Sequence, residues 1–323
     1  MPDVVMKNIL EHCNYDDIQC LRKSCSRLRG LVDLIKPSPK VQCITCVASG
    51  SDVAIKLTFF NEQSTSILYF KTPGGYTVKG SQAWNVEGRS FNTNTPLDEV
   101  ICDDFKILKS SLTHQPTPLN WLTLDFQEDS SLLFYDSILS ALTERPFLRI
   151  TNLLLDTESS CHLYRILQFV SAEALKSVTM KITGDERYAN TQLSWVAGLQ
   201  QWKHVQTLRF EGLRIPETRL LETIPWSVSR MVWISPEQVA RLKETFLNSP
   251  TFHWCSIELD DVGNRLDSLS LIVPDIENDP EESMWFYKSP RPGKVLRVGH
   301  DGTKMTFDFV DTARLEEDDI VRD

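Results

Sequence analysis

Short strand-like segments recur along the C-terminal two thirds of this 323-residue chain, and their spacing limits the folds available to it. Each segment alternates apolar and polar residues or is rich in β-branched residues, which is typical of half-buried strands. Their central residues lie about 24 to 31 residues apart: Leu122, Leu153, Val178, Leu208, Val232 and Ile257. Amphipathic helical patterns lie between several of them, as in SLLFYDSILSAL, LYRILQFV and PEQVARLKETFL. The chain therefore predicts repeated β/α units that share one parallel sheet.

This spacing favours a mixed α+β and α/β chain whose larger part is a leucine-rich-repeat-like β/α curved solenoid with helices on its outer side. The strict asparagine signature of typical leucine-rich repeats is missing, so a plain α/β domain with a parallel sheet is the alternative. MWFYKSP, KVLRVGH and KMTFDFV predict further strands near the end of the chain. The segment at 313–323 is predicted to be an acidic, solvated and frayed tail.

The first forty residues predict three short amphipathic helices. Val5, Ile9 and Cys13 recur at four-residue steps, and a second apolar stripe runs from Ile18 to Ile35. The segment KPSPK ends the helical run, because proline removes a backbone donor and restricts its predecessor. A unit this small rarely buries a sufficient core alone. It must pack on the rest of the chain, as a helical cap, or on another protein.

Residues 40–111 change character. VQCITCVAS, VAIKLTFF, TSILYFKT and YTVKG are separated by turn-rich stretches, which indicates a small antiparallel meander of hairpin-linked strands. A helix is predicted over residues 97–112, and the polar stretch before it is predicted to be a loop.

Composition excludes several classes of function. Asp and Glu outnumber Lys and Arg by 44 to 34, and this acidic balance argues against a nucleic-acid partner. The N-terminus does not have a signal-peptide pattern, and no apolar run suggests a membrane span. The eight Cys are therefore expected to be reduced thiols of a cytoplasmic or nuclear protein. Sequence motifs of hydrolases, phosphate cradles and dinucleotide sites are missing, so we expect no enzyme and no cofactor.

Cys43 and Cys46 form the single CxxC pair. They lie in a strand pattern, where positions three apart point to opposite faces, and no further ligands are near in sequence. We therefore expect no metal site, and replacing both residues with Ser is expected to be silent.

MPDVVMKNILEHCNYDDIQCLRKSCSRLRGLVD resembles an F-box, and the resemblance covers Met1 to about Pro37. F-boxes dock onto the Skp adaptor of SCF cullin-RING ubiquitin ligases through apolar helical faces. The resemblance implies that the adaptor contact is carried by Pro2, Val5, Ile9, Leu10, Leu21, Cys25 and Leu28. Three positions depart from the family pattern, namely Met1, Cys13 and Ser24, and each departure weakens the apolar face by about 1 kcal/mol.

A second resemblance covers about residues 110 to 310. FLRITNLLLD, WVAGLQQWKHVQTLRF, VWISPEQVARLKETFLNSPTF and WFYKSPRPGKVLRV look like the FTH domain found after F-boxes in a large nematode group. In that family the domain is thought to select proteins for ubiquitination, and its fold resembles leucine-rich repeats. The implied organisation is an F-box at 1–37, a strand-rich segment at 40–111, an FTH domain at 112–312 and the tail.

These observations predict a substrate-recognition subunit of an SCF-type ubiquitin ligase. The alternative is a non-catalytic interaction scaffold whose N-terminal helices cap its own fold and engage no ligase. The region after residue 40 carries a net charge of −12, against +2 before it, so charge steering would favour a substrate with a basic contact surface. The repeat region also contains Trp195, Trp202, Trp226, Trp233, Trp254 and Trp285, most of them expected in the core, with Trp233 a candidate interface anchor.

Overall fold

The computed structural model describes residues 3–13, 15–50, 52–72, 75–80, 89–91, 96–126, 132–183, 193–215, 218–231, 234–259, 283–301, 303–316, 319 and 321–322. The chain divides into two compact units. The first comprises residues 1–158 and 165–175, and the second comprises residues 159–164 and 176–323. Both contain helices and a sheet, so the predicted mixed α/β class is confirmed.

The first unit begins with the three predicted helices: α1 (Asp3–His12), α2 (Tyr15–Ser24) and α3 (Ser26–Ile35). Helix α3 ends where Lys36 adopts a left-handed φ of 50° and donates its N–H to the carbonyl of Val32. Pro37 follows and cannot continue the helix. Two longer helices complete the unit, α4 (Leu97–Leu112) and α5 (Leu132–Thr143).

The sheet of the first unit combines an antiparallel meander with parallel strands. The meander is formed by β1 (Val41–Ser49), β2 (Asp52–Phe59), β3 (Ser64–Thr72), β4 (Gly75–Gly80) and β5 (Arg89–Phe91). On its other side β1 pairs in parallel with β6 (Leu119–Phe126), which pairs in parallel with β7 (Ile150–Thr157). The predicted meander is thus confirmed, and one sheet holds both it and the first strands of the β/α series.

Two buried polar side chains hold this unit together. The amide of Gln115 accepts from the N–H of Val41 at 3.0 Å and donates to its carbonyl at 2.8 Å, which anchors the start of β1. The Nζ of Lys109 on α4 donates to the carbonyls of Ala141 (3.1 Å), Leu142 (2.8 Å) and Glu144 at the end of α5. These carbonyls have no partner within their own helix, so Lys109 caps α5.

The sheet of the second unit starts with four parallel strands: β8 (Ser177–Ile182), β9 (Thr207–Arg214), β10 (Trp226–Met231) and β11 (Trp254–Leu259). It continues antiparallel through β14 (Lys304–Asp311), β13 (Lys294–His300) and β12 (Ser283–Lys288). The helical elements of this unit include α7 (Leu193–Val196) and α8 (Pro236–Asn248), whereas α6 (Cys161–Leu167) contributes residues to both units. Helix α8 begins with a capping box between Ser235 and Gln238, with Pro236 at its first position.

Three predicted elements differ from the structure. The polar stretch before α4, predicted to be a loop, contains β5, which pairs with β4 and adds one strand to the meander. The strand expected at MVWIS is β10, which ends at Met231, and Val232 lies outside the described residues. The reason is that β10 buries Ser227 and Ser229, so its inward face does not look apolar in sequence. The tail is not simply frayed, since Val321 and Arg322 form β15, which pairs in parallel with β12.

The two faces of the sheet in the second unit are covered differently. Helix α8 packs on one face, where Phe246 contacts Phe307 with ring centroids 5.3 Å apart. Trp202 packs on this same face against Phe210 at 6.4 Å. Because side chains alternate along a strand, Trp226 and Trp254, which are paired in register, point to the opposite face.

Candidate functional site

The three N-terminal helices have a small core of their own. Leu10, Ile18 and Val32, one from each helix, are buried against one another. Three half-buried side chains complete this cluster: Cys13, Leu21 and Ile35. An ion pair of 3.0 Å between Arg22 Nε and Asp33 Oδ1 also links α2 to α3. All these residues lie within the first 38 positions, so the helices bury their inner stripes on each other.

Other apolar side chains of the same helices point outward. Val5 is 44% exposed and Ile9 is 41% exposed. They lie four residues apart on one face of α1. On α3, Leu34 is 75% exposed, which is the largest value among the exposed large hydrophobic residues of the described chain. Apolar side chains exposed on a small unit with a closed core are typical of a protein interface.

The residues predicted to contact the adaptor differ in how far the structure exposes them. Val5, Ile9 and Cys25 are exposed, and Leu21 and Leu28 are half-buried. Leu10 is fully buried in the core of the unit, so here it supports the docking helices from within and offers no surface. Pro2 lies outside the described residues. The docking role of the accessible residues stays a prediction.

Two of the three departures from the family pattern are accommodated locally. The Cys13 thiol donates to the carbonyl of Ile9 at 3.3 Å, and burial, with Asp17 nearby, raises the pKa of Cys13. The Ser24 hydroxyl donates to the carbonyl of Cys20 at 2.9 Å. Each side chain is therefore bonded within its own helical turn. The third departure, Met1, lies outside the described part of the chain.

Sequence reasoning missed Leu34. The predicted stripe of α3 contains Leu31, Val32 and Ile35, and Leu34 falls outside it at helical spacing. An apolar residue on the polar face of a short amphipathic helix indicates a contact with a partner outside the helical unit, and Leu34 carried this signal in the sequence.

A cleft of about 460 Å³ lies between these helices and α4. Ile18 and Val32 line it from α2 and α3, and Ile107 lines it from α4. Lys36 and His114 also line it, and desolvation, with the Lys36 charge second, lowers the pKa of His114. The N-terminal helices are thus not closely packed on α4 along this side.

The tryptophans of the second unit divide into core and surface residues. Trp202 and Trp285 are buried, whereas Trp195 is 54% exposed. Trp226 is 37% exposed and stacks on the half-buried Trp254, with ring centroids 4.9 Å apart and planes at 27°. The candidate anchor Trp233 lies outside the described residues.

The stacked pair could have been found from sequence. Trp226 and Trp254 are about 28 residues apart, which is within the strand spacing found above. Equal positions in successive parallel strands are neighbours in a sheet, so two Trp at one repeat position are expected to touch.

The side chains considered for metal binding do not form such a site. Cys46 is buried and Cys43 is half-buried on alternate faces of β1, as predicted. Burial raises the pKa of the Cys46 thiol far above its ordinary value, and raises that of Cys255 to about 12. Across the described ranges, no group of three or more His, Cys, Asp or Glu side chains is arranged to hold a metal ion.

Comparison with protein families identifies both parts of the chain. Residues 1–38 match the model of the F-box domain, and residues 133–269 match the model of the FTH domain. The chain is therefore an F-box protein that also carries an FTH domain. No curated protein and no solved structure matches it. In the described part of the chain, no helix is both long and apolar enough to cross a membrane.

Proposed function

We propose that this protein is a substrate-recognition subunit of an SCF-type cullin-RING ubiquitin ligase. The observation that carries the proposal is the F-box match over residues 1–38, on helices that expose Val5, Ile9 and Leu34. In this role the F-box binds the Skp adaptor, and through it the cullin. The FTH region binds the protein to be ubiquitinated.

In this role the subunit does no chemistry of its own. It holds a substrate lysine near the charged ubiquitin-conjugating enzyme, and thereby raises the effective concentration of that lysine. No cofactor takes part in this function. The protein acts in the cytoplasm, the nucleus or both, and its eight free cysteines suit such a reducing compartment.

The alternative, in which the helices only cap the rest of the chain, has less support. A cap would turn its apolar stripe toward the domain that it covers. Here the inward apolar side chains of the three helices, Leu10, Ile18 and Val32, pack against one another. A cleft lies along α4, and Val5 and Ile9 remain exposed. This arrangement suits a docking unit better than a cap.

For the FTH region we propose a leucine-rich-repeat-like β/α architecture. Its support is the parallel series β8 to β11, in which each strand pairs in parallel with the next, with one register shift between β9 and β10. Helical elements between these strands range from four residues in α7 to 13 in α8, so the repeats are irregular. Such a series leaves one sheet face for a partner.

Co-expression of the full chain with the Skp adaptor tests the proposal. The wild-type chain is expected to co-purify with the adaptor in equal amounts. The double variant Val5→Asp/Ile9→Asp is expected to lose about 100-fold or more in affinity, since two apolar contacts of about 1.5 kcal/mol or more each are lost.

Lys7→Asp is the matched control, because it also adds negative charge to α1 but at an exposed position on another face of the helix. It is expected to bind like the wild type. A folded wild-type chain that fails to bind the adaptor would overturn the proposal, as would equal binding by the Val5/Ile9 variant.

A further inference from the structure

The face of the second unit's sheet that lies opposite α8 carries an aromatic pair within a largely basic setting. Trp226 at the start of β10 and Trp254 at the start of β11 are direct cross-strand neighbours. Their stacked rings form a platform whose Trp226 edge is exposed. Tryptophans in such positions contribute strongly to protein binding, because a large rigid apolar area is buried with little loss of conformational entropy.

Cations lie on both sides of this platform. On the β9 side, Arg209 is paired in register with Val228, two residues beyond Trp226 on the same face, and it is exposed. On the β14 side, the Nζ of Lys304 lies 5.9 Å from the ring centroid of Trp254. Arg297 follows on β13, held by two bonds of 2.8 and 2.9 Å to the carboxylate of Asp308.

Strand register extends this charge pattern over the face. Lys181 is opposite Glu211, Arg230 is opposite Glu258, and Glu258 is opposite Lys304. Among the described residues that share this face, six are basic and three are acidic: Lys181, Arg209, Arg230, Lys288, Arg297 and Lys304, against Glu211, Glu258 and Asp308. The local charge is therefore positive, although the whole chain carries −10.

We propose that this face binds an acidic segment of the substrate protein, with one apolar side chain of that segment placed on the Trp226–Trp254 platform. The ring faces would also attract a cation, but Lys304 already lies near Trp254, and a basic partner would meet like charges across the face. Net charge alone favoured a basic substrate surface. The face itself reverses that expectation, because short-range contacts at the interface decide complementarity and distant charges are screened.

This inference rests on the proposed function, since the bound segment belongs to a ligase substrate. The test selects peptides from a library of random dodecapeptides displayed on phage, using the full chain in complex with the Skp adaptor. The selected peptides are expected to be rich in Asp and Glu around one aromatic or large aliphatic residue. Their measured affinity is expected to fall as salt rises.

Variants then locate the binding surface. Trp226→Ala/Trp254→Ala is expected to weaken the selected peptides about tenfold or more, and Lys304→Glu about fivefold or more. Trp195→Ala is the matched control, because Trp195 is an exposed tryptophan on α7, packed edge-on against Tyr164, and lies off this face. It is expected to bind like the wild type. Thermal unfolding of each variant separates lost binding from lost folding.

Three results would overturn the inference: selection of basic peptides, selection of no peptide, or acidic peptides that bind the Trp and Lys304 variants as tightly as the wild type. The failure of this inference and the failure of the proposed function are distinguishable. If the chain binds the adaptor but selects no acidic peptide, only the inference fails. If the chain does not bind the adaptor, the proposed function fails, and selection with the chain alone still tests the face.

Discussion

The F-box helices and the sheet of the second unit differ in what they bury and in what they expose. The helices bury a cluster centred on three side chains and expose aliphatic ones. The sheet buries a long apolar layer under α8 and exposes a tryptophan pair with charged neighbours. An aliphatic patch suits a partner that is always the same, because apolar contact supplies affinity with little discrimination. Aromatic and charged groups at fixed positions suit the selection of one partner among many.

The difference in core size predicts different consequences for similar truncations. Phe246→Ala on α8 removes a ring that stacks on Phe252 at 3.9 Å and contacts Phe307. We expect it to lower the free energy of unfolding of the second unit by about 3 to 5 kcal/mol. Chemical denaturation of the full chain measures this loss, and adaptor binding should persist. A loss below about 1 kcal/mol would show that α8 is not part of this core.

Leu10→Ala should act locally instead. Leu10 belongs, with Ile18 and Val32, to the small buried cluster of α1, α2 and α3, so we expect a cost of about 2 to 4 kcal/mol and unfolding of α1 to α3. Hydrogen exchange is expected to increase in residues 3–35 and to stay unchanged in β8 to β11. Adaptor binding would be lost with the helices. If exchange rose equally in both regions, the F-box core would not be separate from the rest.

A third test concerns a buried charge that the sequence pattern did not indicate. Lys109→Met leaves carbonyls at the end of α5 without their donor, which is expected to cost about 1 to 3 kcal/mol. Lys106→Met is the control, because its ion pair of 3.3 Å with Glu144 lies at the surface, where solvent screens it, and is expected to contribute much less. Equal effects of the two variants would contradict the capping role of Lys109.

The direction in which the stabilising effect of Lys109 changes with pH can also be predicted. Desolvation lowers the pKa of Lys109 below the ordinary 10.5, so the folded chain holds fewer protons than the unfolded chain between the two values. Stability contributed by Lys109 should therefore rise with pH across that window. The difference between wild type and Lys109→Met is expected to grow as pH increases, and a decrease would contradict the stated cause.

The smallest expected effect concerns the two cysteines of β1. Cys46→Ser places a hydroxyl in a fully buried position and is expected to cost about 1 to 2 kcal/mol. Cys43→Ser, at a half-buried position, is expected to change stability by less than about 0.5 kcal/mol. The expectation of a silent double replacement therefore remains only for Cys43. Equal thermal shifts for the two variants would show that the faces of β1 are assigned wrongly.

Much of the fold and part of the docking surface could be predicted from sequence. The three N-terminal helices, the meander and most of the later strands follow from local periodicity. Prediction failed for β10, because buried Ser227 and Ser229 do not look like core residues. The sequence also did not show that Leu10 is buried whereas Val5 and Ile9 are exposed, since all three are apolar residues of one short helix. Which of them faces inward depends on α2 and α3.

The amino-acid sequence by itself determined most of the helices and strands, because these depend on periodicities of two and 3.6 residues. It also contained the F-box and FTH patterns. Only the tertiary structure decided which strands are neighbours. That choice pairs β1 with β6 and brings Lys109 to the end of α5. The physical reason is that these contacts join residues far apart in the chain, whose meeting depends on the packing of the whole unit.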